Sequence, residues 1–388
     1  MPKKANHNRK KKIVMVAGSR GEYGYFRPII RAMEKQPHFD YEIIACNMHP
    51  LETFGSSLQE IVKDGLKIGS VSYNTLDGYN RHTMSKSLGI FLLELPGLLD
   101  RAKPDWILIA GDRGEQFMAA IAGSHMYIPV AHIQAGELSG NIDGTVRHAI
   151  TKLAHLHFCS NEDAASRVSK MGEEEFRIHN VGAPQLDELR RGDITKARIL
   201  AHKLELDFSQ PVLLLAQHSV TEEFDQTEQQ MVATMKALAR LDYQTVVILN
   251  NSDAGSRSLR AVLFGHKNSR MKIFDNLPRA DYAGLLKTAS VLIGNSSSGI
   301  IEAPLFGLPV VNIGNRQNGR LQAANVINVK HDAIKIFEAI KRALSPGFRK
   351  IATQAKSIYG DGHSSERILE ILRQMPIDDR LLIKRLTY

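Results

Sequence analysis

S-V-L-I-G-N-S-S-S-G-I-I-E, Ser290–Glu302, reads as an apolar strand that runs into a Gly-Asn-Ser-Ser-Ser-Gly turn and then into a helix. A strand-to-helix turn presents unpaired backbone N–H groups and the positive end of the helix dipole, and Ser296 and Ser297 add hydroxyl donors, so the turn suits phosphate. Glu302 falls about one turn into the helix, too far in to be the N3 partner of a capping box with Ser298. A carboxylate beside a phosphate site is electrostatically awkward unless it accepts hydrogen bonds from a ribose diol, as acidic residues do in nucleotide folds. The turn therefore points to a nucleoside diphosphate rather than to free phosphate. A Ser-rich helix cap is the alternative for the segment in isolation.

Outward from this turn, strand-length apolar runs alternate with helix-period segments. From Lys12 to about Gly182 they are K-I-V-M-V-A, Y-E-I-I-A-C, W-I-L-I-A-G, I-P-V-A-H-I, L-H-F-C-S and F-R-I-H-N-V. The polar segment A-P-Q-L-D-E-L-R-R-G-D (183–193) interrupts the pattern and fits a crossover or linker. The pattern restarts with P-V-L-L-L-A-Q, Q-T-V-V-I-L-N, M-K-I-F-D, S-V-L-I-G, L-P-V-V-N-I and N-V-I-N-V. This predicts an α/β protein of two doubly wound, Rossmann-like domains facing across a cleft, with ligand at the carboxyl ends of the strands. The expected division is a basic disordered tail over 1–12, an N-terminal domain over 13–185, a C-terminal domain over 186–375 and a tail over 376–388. The helix-period segment S-S-E-R-I-L-E-I-L-R-Q-M near the end has the composition to pack back on the first domain.

At 388 residues the chain is long enough for two substantial cores, and 43% hydrophobic with 23% charged residues is ordinary for a globular protein. The net charge of +9 invites a nucleic-acid reading, but Lys3, Lys4, Arg9, Lys10, Lys11 and Lys12 supply six of those charges. The body is then only about +3 and carries no aromatic-rich binding motif, so no nucleic-acid partner is expected. The N-terminus lacks an h-region and no apolar run approaches spanning length, so a cytoplasmic protein without membrane contact is expected. Cys46 and Cys159 fall in strand-like segments, as buried thiols do. His155, His157 and Cys159 alternate along one segment, but no further ligand cluster at a diagnostic spacing accompanies them and no metal is expected.

The loops after the strands are rich in specific polar groups. G-S-R-G-E-Y-G (18–24) has glycines for close approach and Arg20 as a fork for phosphate or carboxylate, and it is not the G-x-G-x-x-G of dinucleotide sites. G-D-R-G-E (111–115) sets Asp112 and Arg113 at a strand end, where an acid serves either as a helix cap or in a site. Q-A-G-E-L-S-G-N-I-D-G-T-V-R-H (134–148) carries Glu137, Asp143, Arg147 and His148. In the second half come Q-H-S-V-T-E-E with His218, N-N-S-D-A-G (250–255), and G-N-R-Q-N-G-R (314–320). Acids gather in the first half and nucleotide-binding groups in the second.

From about Ile13 to about Val329 this constellation resembles the UDP-N-acetylglucosamine 2-epimerase family, especially its hydrolysing branch, which makes N-acetylmannosamine for sialic acid and related nonulosonic acids. The resemblance implies the GT-B-like two-domain architecture, a UDP-sugar substrate, UDP as product, no cofactor, and a homodimer or homotetramer. By resemblance, Ser296, Ser297 and Glu302 bind the diphosphate and ribose. Arg20, Arg113, Asn251 and Arg316 contact nucleotide or sugar, with Glu22 of the same first loop grouped beside them. Asp112, Asp143 and His218 match catalytic positions.

Two positions depart from the family pattern. Gln134 in H-I-Q-A-G-E stands where the family often has a catalytic glutamate, and Tyr25 replaces a common lysine. An amide cannot act as a proton-transfer carboxylate, so Glu137 or Asp143 takes that part or the sugar differs. The loops G-S-R-G-E-Y-G and H-I-Q-A-G-E resemble those of the branch acting on 4-acetamido-6-deoxy sugars, in the legionaminic acid route. A non-hydrolysing 2-epimerase is the nearest rival, and a glycosyltransferase is supported by fold alone.

Overall fold

In the computed structural model, which describes residues 9–52, 57–78, 80–140, 142–249 and 254–388, each half is an open parallel sheet covered by helices. The first sheet holds β1 (Lys11–Ala17), β2 (Phe39–Ala45), β3 (Ile68–Val71), β4 (Trp106–Ala110), β5 (Val130–Ile133), β6 (Leu156–Cys159) and β7 (Ile178–Asn180), in the order β3-β2-β1-β4-β5-β6-β7. The second holds β8 (Val212–Ala216), β9 (Gln244–Ile248), β10 (Met271–Phe274), β11 (Val291–Gly294), β12 (Val310–Ile313) and β13 (Val326–Val329), in the order β10-β9-β8-β11-β12-β13. The W-I-L-I-A run of β4 and the V-L-L-L-A run of β8 are buried throughout, as strands covered on both faces must be. The twelve apolar runs read from sequence all form strands. β3 is an addition, because I-G-S-V is a short edge strand with too little apolar character to stand out.

Strand order reverses between β1 and β4 and again between β8 and β11, which opens a crevice at the carboxyl ends of each pair. Gly294 ends β11 with φ +122°, and a Cβ there would strike the Ala216 carbonyl oxygen at the end of β8. Only glycine allows that approach, and it delivers the serine turn directly into the crevice.

The domain limits differ from the sequence expectation at three places. β1 takes in Lys11 and Lys12, so the basic segment is not a loose tail up to residue 12. Lys11 Nζ donates to the carbonyls of Leu372, Arg373 and Met375 at 3.0, 2.9 and 3.2 Å, and Lys12 pairs with Glu42 at 2.7 Å. Their aliphatic stems follow the sheet while the amines reach acceptors. Second, the helix Gln185–Arg191 straddles the expected boundary: Leu186 and Leu189 pack with Ile300 and Ile301 of the second domain, whereas Glu188 pairs with Arg27 of the first at 2.7 Å. Third, the helix Ser364–Gln374 returns to the first domain and buries Ile368, Leu369 and Leu372 among Phe26, Ile29 and Ile30. The segment after it is docked as well. Leu381 is buried, Arg177 donates to the carbonyls of Leu381 and Arg380 at 2.7 Å each, and Lys384 meets Glu173 at 2.6 Å.

Among the described residues no helix is long and apolar enough to cross a membrane, and no three His, Cys, Asp or Glu side chains gather as a metal-ligand set. His157 Nε2 meets Glu173 at 3.0 Å, and His155 Nδ1 accepts the Val130 N–H at 3.0 Å. Cys46 and Cys159 are buried free thiols.

Burial lowers the pKa of His49, His155 and His157 to about 4 and that of His132 to about 3, so all four are neutral in the fold. Unfolded imidazoles protonate near 6.5, so between there and about 4 the unfolded chain binds more protons than the folded one, and stability falls as pH drops through that window. Thermal melts should hold level above pH 7 and decline steadily below about pH 6.5. A melting temperature unchanged from pH 7 to pH 5 would show that these imidazoles are not excluded from water.

Candidate active site

The loop after β1 forms one edge of the cleft. Ser19 caps the helix Arg20–Met33 in a capping box with Glu22, whose carboxylate accepts the N–H groups of Gly18, at 3.0 Å, and Ser19. Glu22, expected to bind substrate, thus first shapes the loop. Its other oxygen lies buried in the cleft wall 3.9 Å from Arg113, and burial pushes its pKa up to about 8 against the pull of that guanidinium. His49 donates to the Ser19 carbonyl at 3.1 Å and fixes the loop from below. Arg20 reaches across to the second domain and donates to the carbonyls of Leu249, at 3.2 Å, and Asp275. Its burial lowers the guanidinium pKa to about 10.

Asp112 follows β4, and the turn that carries it is held by His132, which donates to the Gly111 carbonyl at 2.6 Å. The Asp112 carboxylate accepts from Arg147 and, at 3.2 Å, from the Ser139 hydroxyl. Burial alone would raise its pKa, but Arg147, Arg320 and Arg316 outweigh it and hold the group below the usual range, so it is ionised. Arg147 is fully buried on the helix Ile142–Leu153 and also donates to the Glu137 carbonyl at 2.8 Å. Asp143, in the first turn of the same helix, lines the cleft, as Gln134 does. Glu137 does not: its carboxylate accepts from Asn161 at 2.6 Å, lies 3.7 Å from Arg320, and is not among the residues facing the cleft. One of its oxygens is thus taken by Asn161, while the other lies near Arg320, which itself lines the cleft.

The opposite wall comes from the second domain. His218 follows β8, and its backbone N–H donates to the Asn295 side-chain oxygen at 2.7 Å while its carbonyl accepts from the Asn295 amide at 2.9 Å. Ser296 and Ser298 hydroxyls are 3.0 Å apart, and Ser298 meets the Tyr282 hydroxyl at 2.5 Å. The helix read after this turn is a single turn, Ser298–Ile301, followed by a 3-10 turn over Ala303–Phe306 that contains Pro304. Proline lacks the N–H that would continue the α-helical ladder, so the dipole is short and the turn relies on its N–H and hydroxyl groups. Glu302 is gripped by Arg279 through two bonds of 3.0 and 3.1 Å. The Arg279 backbone N–H in turn donates to Glu60 of the first domain at 2.9 Å. Arg316 and Gln317 both donate to the Asn295 carbonyl, at 3.1 and 2.9 Å, and Arg320 donates to the Leu138 carbonyl at 3.2 Å. Asn251 lies outside the described residues.

The structure therefore brings Asp112, Asp143, Gln134, Arg20, Glu22 and Arg113 to one wall. It brings Ser296, Ser297, Glu302, His218 and Arg316 to the other. Arg279, Tyr282 and Arg320 complete the cleft without having been singled out, and only Arg320 lay in a loop whose composition marked it. Donors and cations line the side suited to a departing anion, and ionised carboxylate faces them, which is the equipment for proton transfer coupled to loss of a diphosphate.

The family model for UDP-N-acetylglucosamine 2-epimerase matches residues 31–373. A UDP-N,N'-diacetylbacillosamine 2-epimerase (hydrolyzing) of Legionella pneumophila is 34% identical over 375 residues, covering 96% of this chain and 98% of the relative. A UDP-N-acetylglucosamine 2-epimerase of Neisseria meningitidis is 30% identical over 365 residues, covering 93% and 95%. The crystal structure of UDP-GlcNAc 2-epimerase from Neisseria meningitidis bound to UDP-GlcNAc superposes with a TM-score of 0.79 at 18% identity, covering 93% of this chain and 99% of that one, and shares its fold.

The Arg279–Glu302 pair makes a structural prediction independent of turnover. Arg279→Met should destabilise by about 3–5 kcal/mol because it strands a buried carboxylate, whereas Arg279→Met with Glu302→Met should recover most of that loss. Denaturant titrations of the two variants check this, and a double variant no more stable than the single one would show that the pair is held for its own energy.

Proposed function

The chain belongs to the UDP-N-acetylglucosamine 2-epimerase family, in its hydrolysing branch, and on that premise we propose that it converts UDP-N,N'-diacetylbacillosamine and water to UDP and the free sugar inverted at C2. The observation that carries this reading is the cleft lined by Asp112 and Asp143 of the first domain and by the Ser296–Ser297 turn and Glu302 of the second. The Legionella relative supports the diacetamido sugar. UDP-N-acetylglucosamine is the second reading, favoured by the Neisseria relative. The released sugar would serve nonulosonic acid synthesis.

In the proposed reaction a carboxylate takes the C2 proton, the C2–H electron pair becomes the C1=C2 bond, and the C1–O pair leaves with UDP. The 2-acetamidoglycal then takes a proton at C2 from the opposite face, and water oxygen adds to C1 with release of its proton. Asp112 and Asp143 serve the two proton transfers, and Asp112, kept ionised by Arg147, Arg320 and Arg316, is in the form that accepts a proton. Each transfer is worth about 10²–10⁴-fold in rate. The Ser296–Ser297 turn, Arg113 and His218 stabilise the departing diphosphate, and Glu302, oriented by Arg279, accepts the ribose diol. No step calls for a redox cofactor.

Turnover in deuterated water should place one deuterium at C2 of the product, and ¹⁸O-labelled water should label C1 and not UDP. Label in the diphosphate would mean P–O cleavage and end the elimination reading. Asp112→Asn should abolish turnover with UDP affinity nearly intact, whereas Ser297→Ala should weaken UDP binding by about 1–3 kcal/mol. Calorimetry with the reverse pattern would refute the division of labour between the walls.

A further inference from the structure

Gln134 has two features that the fold does not use. It closes β5 in the left-handed region, φ +60°, where a glutamine is strained. Its Nε2 is buried in the cleft wall with no hydrogen-bond partner among the described residues, although buried amide donors are almost always satisfied. Asp112 of the same cleft wall already accepts from Arg147 and Ser139, and Glu137 of the same loop accepts from Asn161. The backbone two residues on is closely packed, since Gly136 is pressed so near the Ala164 carbonyl that a Cβ would not fit. A strained backbone that holds an unused donor in a substrate cleft is the mark of a group whose partner arrives with the ligand.

We propose that Gln134 donates its Nε2–H to an acetamido carbonyl oxygen of the bound sugar and so determines which sugars the site accepts. The inference rests on the epimerase reading above and deepens it. An acetamido carbonyl is the strong neutral acceptor on such a sugar, and a carboxamide meets it without adding charge to a wall that already holds ionised Asp112. The amide cannot carry the C2 proton, so its contribution lies in binding the sugar. A sugar without the acceptor leaves the buried donor unpaired, which is how polar sites reject close analogues. Both the C2 and the C4 acetamido groups of the diacetamido sugar offer this oxygen, and the two are separable by experiment.

The test compares native protein with Gln134→Met, measuring calorimetric affinity for UDP, UDP-glucose, UDP-N-acetylglucosamine and UDP-N,N'-diacetylbacillosamine, together with kcat and KM. UDP and UDP-glucose affinity should be unchanged, with a tenfold or greater loss for an acetamido sugar carried mainly in KM. Loss confined to the diacetamido sugar identifies the C4 carbonyl, and equal loss for both acetamido sugars identifies the C2 carbonyl. Unchanged affinity for both, an equal loss for UDP-glucose, or a fall in kcat at constant KM would overturn the proposal. Should Gln134→Met lose its cooperative melt, Gln134→Asn keeps a residue tolerant of left-handed backbone with a shortened amide and should show the same selective loss. Native protein that turns over neither acetamido sugar would defeat the epimerase reading, whereas native turnover matched by the variant would defeat only the role given to the amide.

Discussion

The buried guanidinium of Arg147 is the interaction on which the acidic wall of the cleft depends. A cation that is 1% exposed must be surrounded by acceptors, and Arg147 collects the Asp112 carboxylate, the Ser139 hydroxyl and the Glu137 carbonyl. Those three groups come from the turn after β4 and from the loop between β5 and the next helix. That side chain thereby ties the loop to the end of β4 and, with Arg320 and Arg316, keeps Asp112 ionised. The loop then reaches the second domain, where the Gly140 N–H donates to the Arg316 carbonyl at 3.1 Å. A Cβ on Gly140 would run into the Asn315 carbonyl oxygen, so the two domains meet there backbone to backbone.

The opposite wall depends less on a helix dipole than on side chains. With one α-helical turn behind it, the serine turn offers N–H groups and hydroxyls, and the charge is supplied by Arg279, Arg316 and Arg320 from other elements. Several of these groups also tie the domains together, as do Arg20 to Leu249, Glu60 to Arg279 and Arg27 to Glu188. The chain crosses between domains twice, once at the helix Gln185–Arg191 and once before the helix Ser364–Gln374.

Much of the fold was legible because doubly covered strands are written as continuous apolar runs, and twelve of thirteen strands announced themselves in that way. β3 did not, since an edge strand needs no apolar run. The shortened helix was marked by Pro304, a local signal whose consequence is plain once the turn before it is known to be tight. The loops at the strand ends were legible too: Asp112, Asp143, His218 and the serine turn all line the cleft.

Local order thus fixes periodicity, turn chemistry and the supply of polar groups at strand ends, because each depends on residues adjacent in the chain. Which of those groups face the cleft depended on contacts between distant residues. Glu137 and Asp143 lie six positions apart in one loop, yet Asn161 and Arg320 draw the first away while the helix start presents the second. Arg279 finds Glu302 across 23 residues, and the final helix finds the first domain from the far end of the chain. Orientation of a side chain is settled by what packs behind it, and that is a property of the assembled sheets rather than of any segment read alone.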